Sequence, residues 1–587
     1  MKLFGSKAKR LLFSVCAGLM IAQGLGAATV PGPDDTLFFS RFEAGNRAEA
    51  ARFLNQATFG ATISEISRLE QLGKSAWIDQ QIALPVGWNH VDKTLSTADY
   101  AGCHYLRPRD EDLNFSLWGA FVSSPDQLRQ RMTYALSQII VTSQVTNLHY
   151  ESGLLSPSWV DMLSEHAFGN YRDLLGAVAR HPSMGVYLSH LFNPKGNPET
   201  GRIPDQNFAR ELMQLFTIGL EELNLDGTPV LDTDGLPIPT YGQDDIEGLS
   251  KVMTGWAWAS QGSNWWHRPG IFCDQMAQTQ PMKAFPDFHE PGPKSFLGLT
   301  IPAQNPPDPQ ASLDAALDHI FAHPNVGPFI GRQLIQRLVV SNPSPDYVAR
   351  VATVFNNNGQ GVRGDLAAVV RAILLDPEAR DPDMIGQPHW GKIREPILRQ
   401  AQVMRAFNAG TIEPSGGFQL RFRGQNFEFG IGHQPMRSRT VFNFYRPVYT
   451  PPGSALDAAG LVAPEMQIVD EFRITQWTNV WLKEVALEGG FTDCCSPEAR
   501  NFFYWRLDYE PLIALLEQSP ERLIDHFDLL LMAGQMSSEL RQLLIETIAA
   551  QTSGYSEHSG MFRGVSHMKV GRALHHLVAS AEYVVQK

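Results

Sequence analysis

The stretch that decides the fold reads NFARELMQLFTIG and occupies residues 207–219. Its apolar residues recur at helical spacing, with Phe208 and Leu212 on one face. Asp205 stands where an N-cap belongs, and Gly219 where a helix would stop. The pattern predicts an amphipathic helix that packs one face against a core.

Comparable patterns recur along the chain, and many begin after Ser-Pro, Asp or Asn, which are helix-start signals. Helices are predicted from Asn46, Thr62, Ser75 and Pro125-Asp126, and at about 159–168, 170–180, 205–217, 244–254, 312–322, 325–340, 345–356, 364–375, 392–408, 464–486, 509–517, 519–533, 537–551 and 569–584. No series of alternating strands accompanies them. The predicted fold class is therefore mainly α, a large multi-helix domain with a short β-hairpin and long irregular insertions.

Three segments of the sequence depart from the helical pattern. Asp226-Gly227 and Asp234-Gly235 are turn dipeptides, and 228–231 can pair with 236–240 across the second turn. Prolines within those segments would confine this hairpin to an exposed edge. Residues 257–311, rich in Trp, Pro and Gly, and residues 410–460 are predicted to be irregular.

The first residues are typical of an export signal. Lys2, Lys7, Lys9 and Arg10 precede an apolar run, and Gly26-Ala27-Ala28 supplies a cleavage site. We therefore expect a cleaved signal peptide at 1–28, a periplasmic or secreted protein, and no later membrane span. The mature chain of about 560 residues would favour two to four domains on length alone.

The net charge of the mature chain limits the classes of partner that are expected. Cleavage would remove four positive residues, leaving 44 basic against 61 acidic residues and a formal charge of −17. Such a chain is repelled by nucleic acid and by anionic membranes, so neither is an expected partner.

Four cysteines would remain after cleavage, Cys103, Cys273, Cys494 and Cys495. An oxidising compartment permits two disulfides. Adjacent cysteines rarely bond each other without strain, so Cys103 with Cys273 is the favoured pair. No CxxC or CxxH spacing supports a zinc site.

The polar face of the 207–219 helix carries Asn207, Arg210, Glu211 and Gln214. Arginine offers a planar fork for an anion, and the glutamate could act as a general base or metal ligand. Together they could form a ligand-binding or catalytic surface. The simpler interpretation is an internal polar network between helices, and both interpretations stay open.

Three further groups of residues suggest binding. His289 and Glu290 lie in an irregular segment ending at Lys294, where they could bind a metal or move a proton, or anchor the loop. Trp256 and Trp258, with Trp265 and Trp266, could stack on sugar rings or simply anchor the segment. Asp226, Asp232, Asp234, Asp244 and Asp245 invite a calcium interpretation, but the EF-hand spacing fails, and turns and a helix cap explain them.

The order of motifs resembles a large bacterial family called domain of unknown function 1800. The matching blocks are ARFLNQATFG (51–60), NFARELMQLFTIG (207–219), Tyr241 to TGW (254–256), FHEPGPKSFLG (288–298), HPNV with FI (323–330), KIREP (392–396), GHQP (432–435) and VFNFYRP (441–447). The resemblance covers nearly the whole mature chain and implies one integrated helical domain at 29–587. Two departures stand out, since Phe216 occupies a place where many members carry His, and Glu290 one where Asp is common.

The resemblance implies location rather than chemistry. Members are typically exported and often encoded beside exported proteins similar to sulfatases and alkaline phosphatases. We therefore expect a non-catalytic envelope or extracellular accessory protein that binds such a partner, a glycan-like ligand or a small anion. Candidate ligand-binding residues are Asn207, Arg210, Gln214, Tyr241, Trp256, Trp258, Lys294 and Arg394.

An enzyme is the alternative expectation. In it, a hydrolase of anionic or saccharide substrates would use Arg210 to bind, and Glu211 or His289 to move the proton. No nucleophile elbow, zinc-protease helix, P-loop or dinucleotide fingerprint supports it. The helical acid phosphatase pattern also fails, because Gly417 and Tyr445 stand where its histidines belong. The sequence assigns no cofactor and no metal.

Overall fold

Helices make up most of the computed structural model, which describes residues 46–97, 110–145, 153–260, 275–409, 432–482, 507–556 and 562–587. Residues Asn46–Lys587 cluster as one compact unit. The predicted signal peptide at 1–28 and the four cysteines lie outside the described residues. The mainly α prediction is confirmed.

The helices follow one another in this order: α1 (46–57), α2 (Ile63–Leu72), α3 (Lys74–Ala83), α4 (His90–Thr97), α5 (Asp110–Ser123), α6 (Gln127–Ile139), α7 (Leu155–His166), α8 (Tyr171–Arg180), α9 (Pro182–Tyr187), α10 (Asn207–Gln214), α11 (Gln243–Val252), α12 (Gln275–Thr279), α13 (Pro309–Ala322), α14 (Val326–Leu338), α15 (Pro345–Asn356), α16 (Leu366–Leu375), α17 (Pro377–Arg380), α18 (Pro396–Ala406), α19 (Ala455–Ala458), α20 (Glu471–Trp481), α21 (Glu510–Gln518), α22 (Pro520–Phe527), α23 (Ser538–Ala550), α24 (Val565–Ala579) and α25 (Ala581–Val584).

The strands are short and pair as antiparallel couples: β1 (Trp256–Ala257) with β2 (Lys283–Ala284), β3 (Lys294–Phe296) with β4 (Leu299–Ile301), β5 (Lys392–Ile393) with β8 (Val585–Gln586), and β6 (Tyr555–Ser556) with β7 (Phe562–Arg563). The pairing of β5 with β8 sets Lys392 opposite Gln586. It therefore brings the end of the chain against the KIREP motif, residues 392–396.

Many helix starts follow the capping chemistry that the sequence indicates. Thr62 accepts a hydrogen bond from the Glu65 amide at the start of α2. Asp308 accepts one from the Ala311 amide, and Pro309 fills the first turn of α13. The third predicted start was one residue late, because α3 begins at Lys74 after Gly73 rather than at Ser75.

The predicted helix at 392–408 was wrong at its start. Residues 392–393 form β5, and α18 begins only at Pro396. Proline disfavours helical geometry in the residue before it, and Glu395 accordingly has an extended ψ of 149°. Six helices have no counterpart among the predictions, namely α4, α5 and the short helices α9, α12, α17 and α19.

The predicted hairpin is confirmed and extended to three segments. The Ile238 amide donates to the Val230 carbonyl at 3.0 Å, and the Val230 amide to the Glu222 carbonyl at 2.7 Å. Gly227 and Gly235 have φ of 77° and 78°, the left-handed geometry that the two turns require. Leu231 and Leu236 are exposed, as an edge ribbon implies.

The two stretches predicted to be irregular are only partly so. Residues 257–311 contain the β1–β2 and β3–β4 couples and the first turn of α13, while 261–274 lie outside the described residues. Of the second stretch, residues 432–460 are turns with one short helix, α19.

One hydrophobic cluster runs through the compact unit, from α1 to α25. Its largest fully enclosed side chains include Trp77, Trp118 and Trp159. In the described ranges, no helix is long and apolar enough to cross a membrane. Because one core receives helices from both ends of the chain, the polar groups described next are held by distant segments.

Candidate functional site

Helix α10 places its apolar and polar residues on opposite faces, as the sequence indicates. Phe208, Ala209, Leu212 and Met213 are fully buried. The helix is shorter than predicted, because it begins at Asn207 after Gln206 rather than after Asp205, and ends at Gln214.

Its opposite face is the polar stripe, formed by Asn207, Arg210, Glu211 and Gln214. Asn207 is exposed and the other three side chains are half-buried. Asn207 reaches Ser189 Oγ through its Nδ2 at 3.4 Å. The Tyr241 hydroxyl donates to Gln214 Oε1 at 3.2 Å. The structure therefore brings five of the predicted site residues together at one place.

Glu211 is the most unusual member of the polar stripe. Its Oε2 atom is shielded from solvent and has no hydrogen-bond partner among the described residues. Burial raises the pKa of Glu211, and the nearby Arg210 guanidinium only partly opposes this. A shielded carboxyl oxygen without a protein partner is uncommon, so Glu211 is the member of the stripe that most calls for an explanation.

Tyr187, at the end of α9, extends the polar stripe inward. Burial first, and then the Glu211 carboxylate, raise the pKa of Tyr187 to about 12, so its hydroxyl keeps its proton. The adjacent Ser438 side chain partly opposes this rise in the pKa of Tyr187. Sequence reasoning missed both residues, because they lie far from α10 along the chain.

Behind Ser438 lies a narrow crevice between the end of α6 and residues 433–444. Its wall includes Tyr134 and Gln138, which both donate to Glu395 Oε2, at 2.6 and 2.5 Å. His433 Nε2 lies 3.6 Å from the same oxygen. The crevice thus rests on a buried carboxylate from the KIREP motif.

Two cations, Lys392 and Arg131, lie near Glu395. Burial opposes its ionisation, but the adjacent His433, these two cations and the Tyr134 hydroxyl together hold the pKa of Glu395 below its ordinary value. A buried carboxylate that accepts two hydrogen bonds and faces cations is a rigid anchor for its neighbours.

The cations of this centre are themselves tied to the protein. Lys392 pairs with Glu465 at 3.0 Å and donates to the Arg337 carbonyl at 2.9 Å, and Arg131 donates to the same carbonyl. All four residues are buried. The sequence held a signal for this centre in KIREP and GHQP, but Arg394 was the residue selected from it.

The chain can also be assigned to a protein family. Residues 52–585 match the family model described as a protein of unknown function, DUF1800. The chain belongs to the DUF1800 family. No curated protein and no solved structure matches it.

The other predicted site residues of this DUF1800 chain lie apart from the polar stripe. His289 is enclosed, with Nδ1 2.9 Å from the Thr254 carbonyl oxygen and Nε2 3.0 Å from Ser312 Oγ. Burial lowers the pKa of His289 to about 4, so the ring is neutral near pH 7. Both ring nitrogens are occupied, which is the geometry of a loop anchor rather than of a proton-transfer residue.

Lys294 is also enclosed, and its Nζ donates to the Gly292 carbonyl at 3.2 Å. Glu290 accepts from the Gly292 amide at 3.2 Å. Arg394 is buried, donates to the Tyr583 carbonyl at 2.6 Å and stacks on the Tyr583 ring. These contacts hold distant segments of the chain together.

Trp256 and Trp258 are each 2 % exposed. Trp256 belongs to β1, and Trp258 packs with Leu155 and Ala277 in a small apolar cluster. The predicted partners Trp265 and Trp266 lie outside the described residues. Neither described tryptophan offers a ring face to a sugar.

The acidic residues near the hairpin serve turns and caps. Asp226 accepts from the Thr228 amide, Asp232 from the Asp234 amide, and Asp245 from the Gly242 amide. Within the described ranges, no group of three or more His, Cys, Asp or Glu residues could hold a metal ion. Phe216 is fully buried in the core.

Proposed function

We propose that this DUF1800 protein is a non-catalytic binding protein whose polar stripe holds a polyhydroxylated, glycan-like ligand. The observation that carries the proposal is the Glu211 carboxyl group, which is half-buried and has one oxygen without a hydrogen-bond partner among the described residues. Arg210, Gln214 and two tyrosines surround it.

The chemistry of the stripe favours hydroxyl groups over a strong anion. Arg210 stands beside the Glu211 carboxyl group, so one positive charge faces one negative charge. Amide, phenol, guanidinium and carboxyl groups supply both donors and acceptors, which suits a sugar whose hydroxyls do both. A sulfate or phosphate would lie close to the Glu211 carboxylate as well as to Arg210, and the two negative groups would repel each other unless Glu211 took up a proton.

We also propose that the protein acts outside the cytoplasm, with an exported sulfatase-like or phosphatase-like protein as a second partner. Two observations support this proposal. Residues 1–28 are typical of an export signal, and the chain resembles a family whose members are typically exported and often encoded beside such proteins. Amino-terminal sequencing of the protein from the periplasm or medium is expected to begin after Ala28. Recovery of the uncleaved chain in the cytoplasm would contradict it.

A hydrolase is the second candidate, because burial raises the pKa of Glu211 and so favours a group that donates a proton. In this form Glu211 is the general acid and Arg210 binds the substrate. The enclosed His289 takes no part, since both of its ring nitrogens are occupied.

The experiment is a glycan array of neutral and sulfated oligosaccharides, followed by calorimetric titration of each hit. Glu211→Gln is expected to weaken binding about tenfold, the loss of a charge-assisted hydrogen bond, while the melting temperature stays unchanged. The control is Glu221→Gln, which makes the same chemical change at an exposed carboxylate.

The alternatives give different results. Hydrolysis of an array hit by the wild type but not by Glu211→Gln would identify the enzyme. A fall in the free energy of unfolding of Glu211→Gln, measured by chemical denaturation, would show that the stripe is a structural network. Hits whose affinity is unchanged in Glu211→Gln would place the binding site elsewhere.

A further inference from the structure

The narrow crevice behind Ser438 carries unpaired polar atoms on several sides. Gln138 Oε1, Thr142 Oγ1, His433 Nδ1 and Asn443 Nδ2 are all shielded from solvent and have no hydrogen-bond partner among the described residues. Gln138, Thr142 and His433 are between 1 % and 5 % exposed. Buried polar atoms are nearly always paired, so four at one crevice point to a group that fills it.

These atoms are held in place from behind. Gln138 uses its Nε2 to contact Glu395, so its Oε1 is left for another partner. His433 turns Nε2 toward Glu395 at 3.6 Å, which leaves Nδ1 for the crevice. A carboxylate beside one ring nitrogen favours the tautomer that carries its hydrogen there, in which the other nitrogen is an acceptor.

The two sides of the crevice are clamped together. Ser143 donates to the Ser438 carbonyl at 2.6 Å, and the Gln144 amide donates to the Met436 carbonyl at 2.8 Å. The crevice is therefore a preformed feature, with an internal volume of about 10 Å3. That is the size of one water molecule or one hydroxyl group.

We propose that this crevice is a subsite for a single hydroxyl group, which donates to His433 Nδ1 and accepts from Asn443 Nδ2 and from Thr142 Oγ1. The proposal rests on the proposed function and deepens it, because Ser438 lines the crevice and also lies beside Tyr187, whose pKa the Glu211 carboxylate raises. In this arrangement, a polyol bound along the polar stripe places one hydroxyl in the crevice. His433 is the residue that selects a ligand group able to donate a hydrogen bond, because its Nδ1 accepts one.

The ionisation of the surrounding groups agrees with this role. Burial lowers the pKa of His433 to about 4, against the opposing effect of Glu395, so the imidazole is neutral near pH 7. A neutral ring accepts a hydrogen bond, whereas an imidazolium would only donate. The crevice thus distinguishes a hydroxyl from a group that offers only acceptors.

The test is 15N nuclear magnetic resonance of histidine-labelled protein, titrated with glycerol and, separately, with acetonitrile. Glycerol is expected to shift the His433 Nδ1 signal in a saturable manner, while acetonitrile, which has no hydroxyl, leaves it in place. His433→Gln assigns the signal. Thr142→Val, which removes one lining hydroxyl, is expected to weaken the glycerol response about three- to tenfold.

Ser137→Ala is the matched control, because Ser137 also lines the crevice but its hydroxyl already donates to the Tyr134 carbonyl. An unchanged Nδ1 signal with glycerol would overturn the proposal and show that the crevice holds water only. An equal response in wild type and Thr142→Val would also overturn it. Neither result affects the stripe, since array binding and its loss in Glu211→Gln are measured independently.

Discussion

Replacing Tyr134 by Phe should test whether Glu395 is the ionic anchor that the structure indicates. The substitution removes one hydroxyl, which donates to Glu395 Oε2 at 2.6 Å in a buried site. A hydrogen bond to a charged acceptor contributes about 1.5–3 kcal/mol to the free energy of unfolding. The carboxylate would keep Gln138 as a donor, so the loss should fall within that range.

Tyr171→Phe supplies a matched comparison. Tyr171 is also fully buried, and its hydroxyl donates to the Phe216 backbone carbonyl at 2.7 Å. The same atom is removed, but the acceptor is neutral, so the expected loss is about 0.5–1.5 kcal/mol. The difference between the two variants therefore reports the charge on Glu395.

The assay is chemical denaturation, with the free energy of unfolding obtained from the midpoint and slope of each variant. Tyr134→Phe should lose about 1–2 kcal/mol more than Tyr171→Phe. In a chain of this length that difference moves the melting temperature by only about 1–2 °C, so a thermal scan is the weaker assay. Equal losses in the two variants would refute the assignment of an ionised Glu395.

Two further predictions concern the stability of the protein at acid pH and the close packing of α11 against β3. Burial lowers the pKa of His90 to about 3 and those of His190, His289 and His433 to about 4, from 6.5. The unfolded chain then binds more protons than the folded one, so the free energy of unfolding should fall as the pH drops from 6.5 toward 4, by about 1.4 kcal/mol per pH unit for each histidine. Denaturant midpoints at pH 7 and pH 5 measure this, and an unchanged midpoint would show that these rings are charged or open to solvent. In the second prediction, Gly248→Ala on α11 should destabilise the protein by about 1–3 kcal/mol or more, because the added methyl group would overlap the backbone carbonyl of Ser295 in β3. Gly386→Ala, which meets nothing within 4 Å, is the control, and equal stability of the two variants would contradict the α11–β3 contact.

Much of the local structure was readable from the sequence. Capping residues such as Thr62 and Asp308 begin the predicted helices, because a cap involves only a few neighbouring residues. The two Asp-Gly turns also fold as expected, since glycine supplies the positive φ that each turn needs. The helix predicted from residue 392 begins only at Pro396, because a proline disfavours helical geometry in the residue before it, here Glu395.

The candidate site was readable only in part. The polar stripe could be found because its members repeat at helical spacing on one short segment. His289, Lys294 and Trp256 have residue types common in binding sites, yet they are buried. Whether a polar or aromatic side chain faces a ligand or the protein depends on the neighbours that cover it, and its type does not decide this.

The sequence by itself determined the helical class, the position of most helices, the hairpin and the polar face of α10, because these depend on residues close together in the chain. Only the tertiary structure decided that Tyr134, Glu395 and His433 meet, and that Ser438 lines the crevice beside them. Such contacts join segments hundreds of residues apart. Their formation depends on how the whole hydrophobic core packs, which no local pattern specifies.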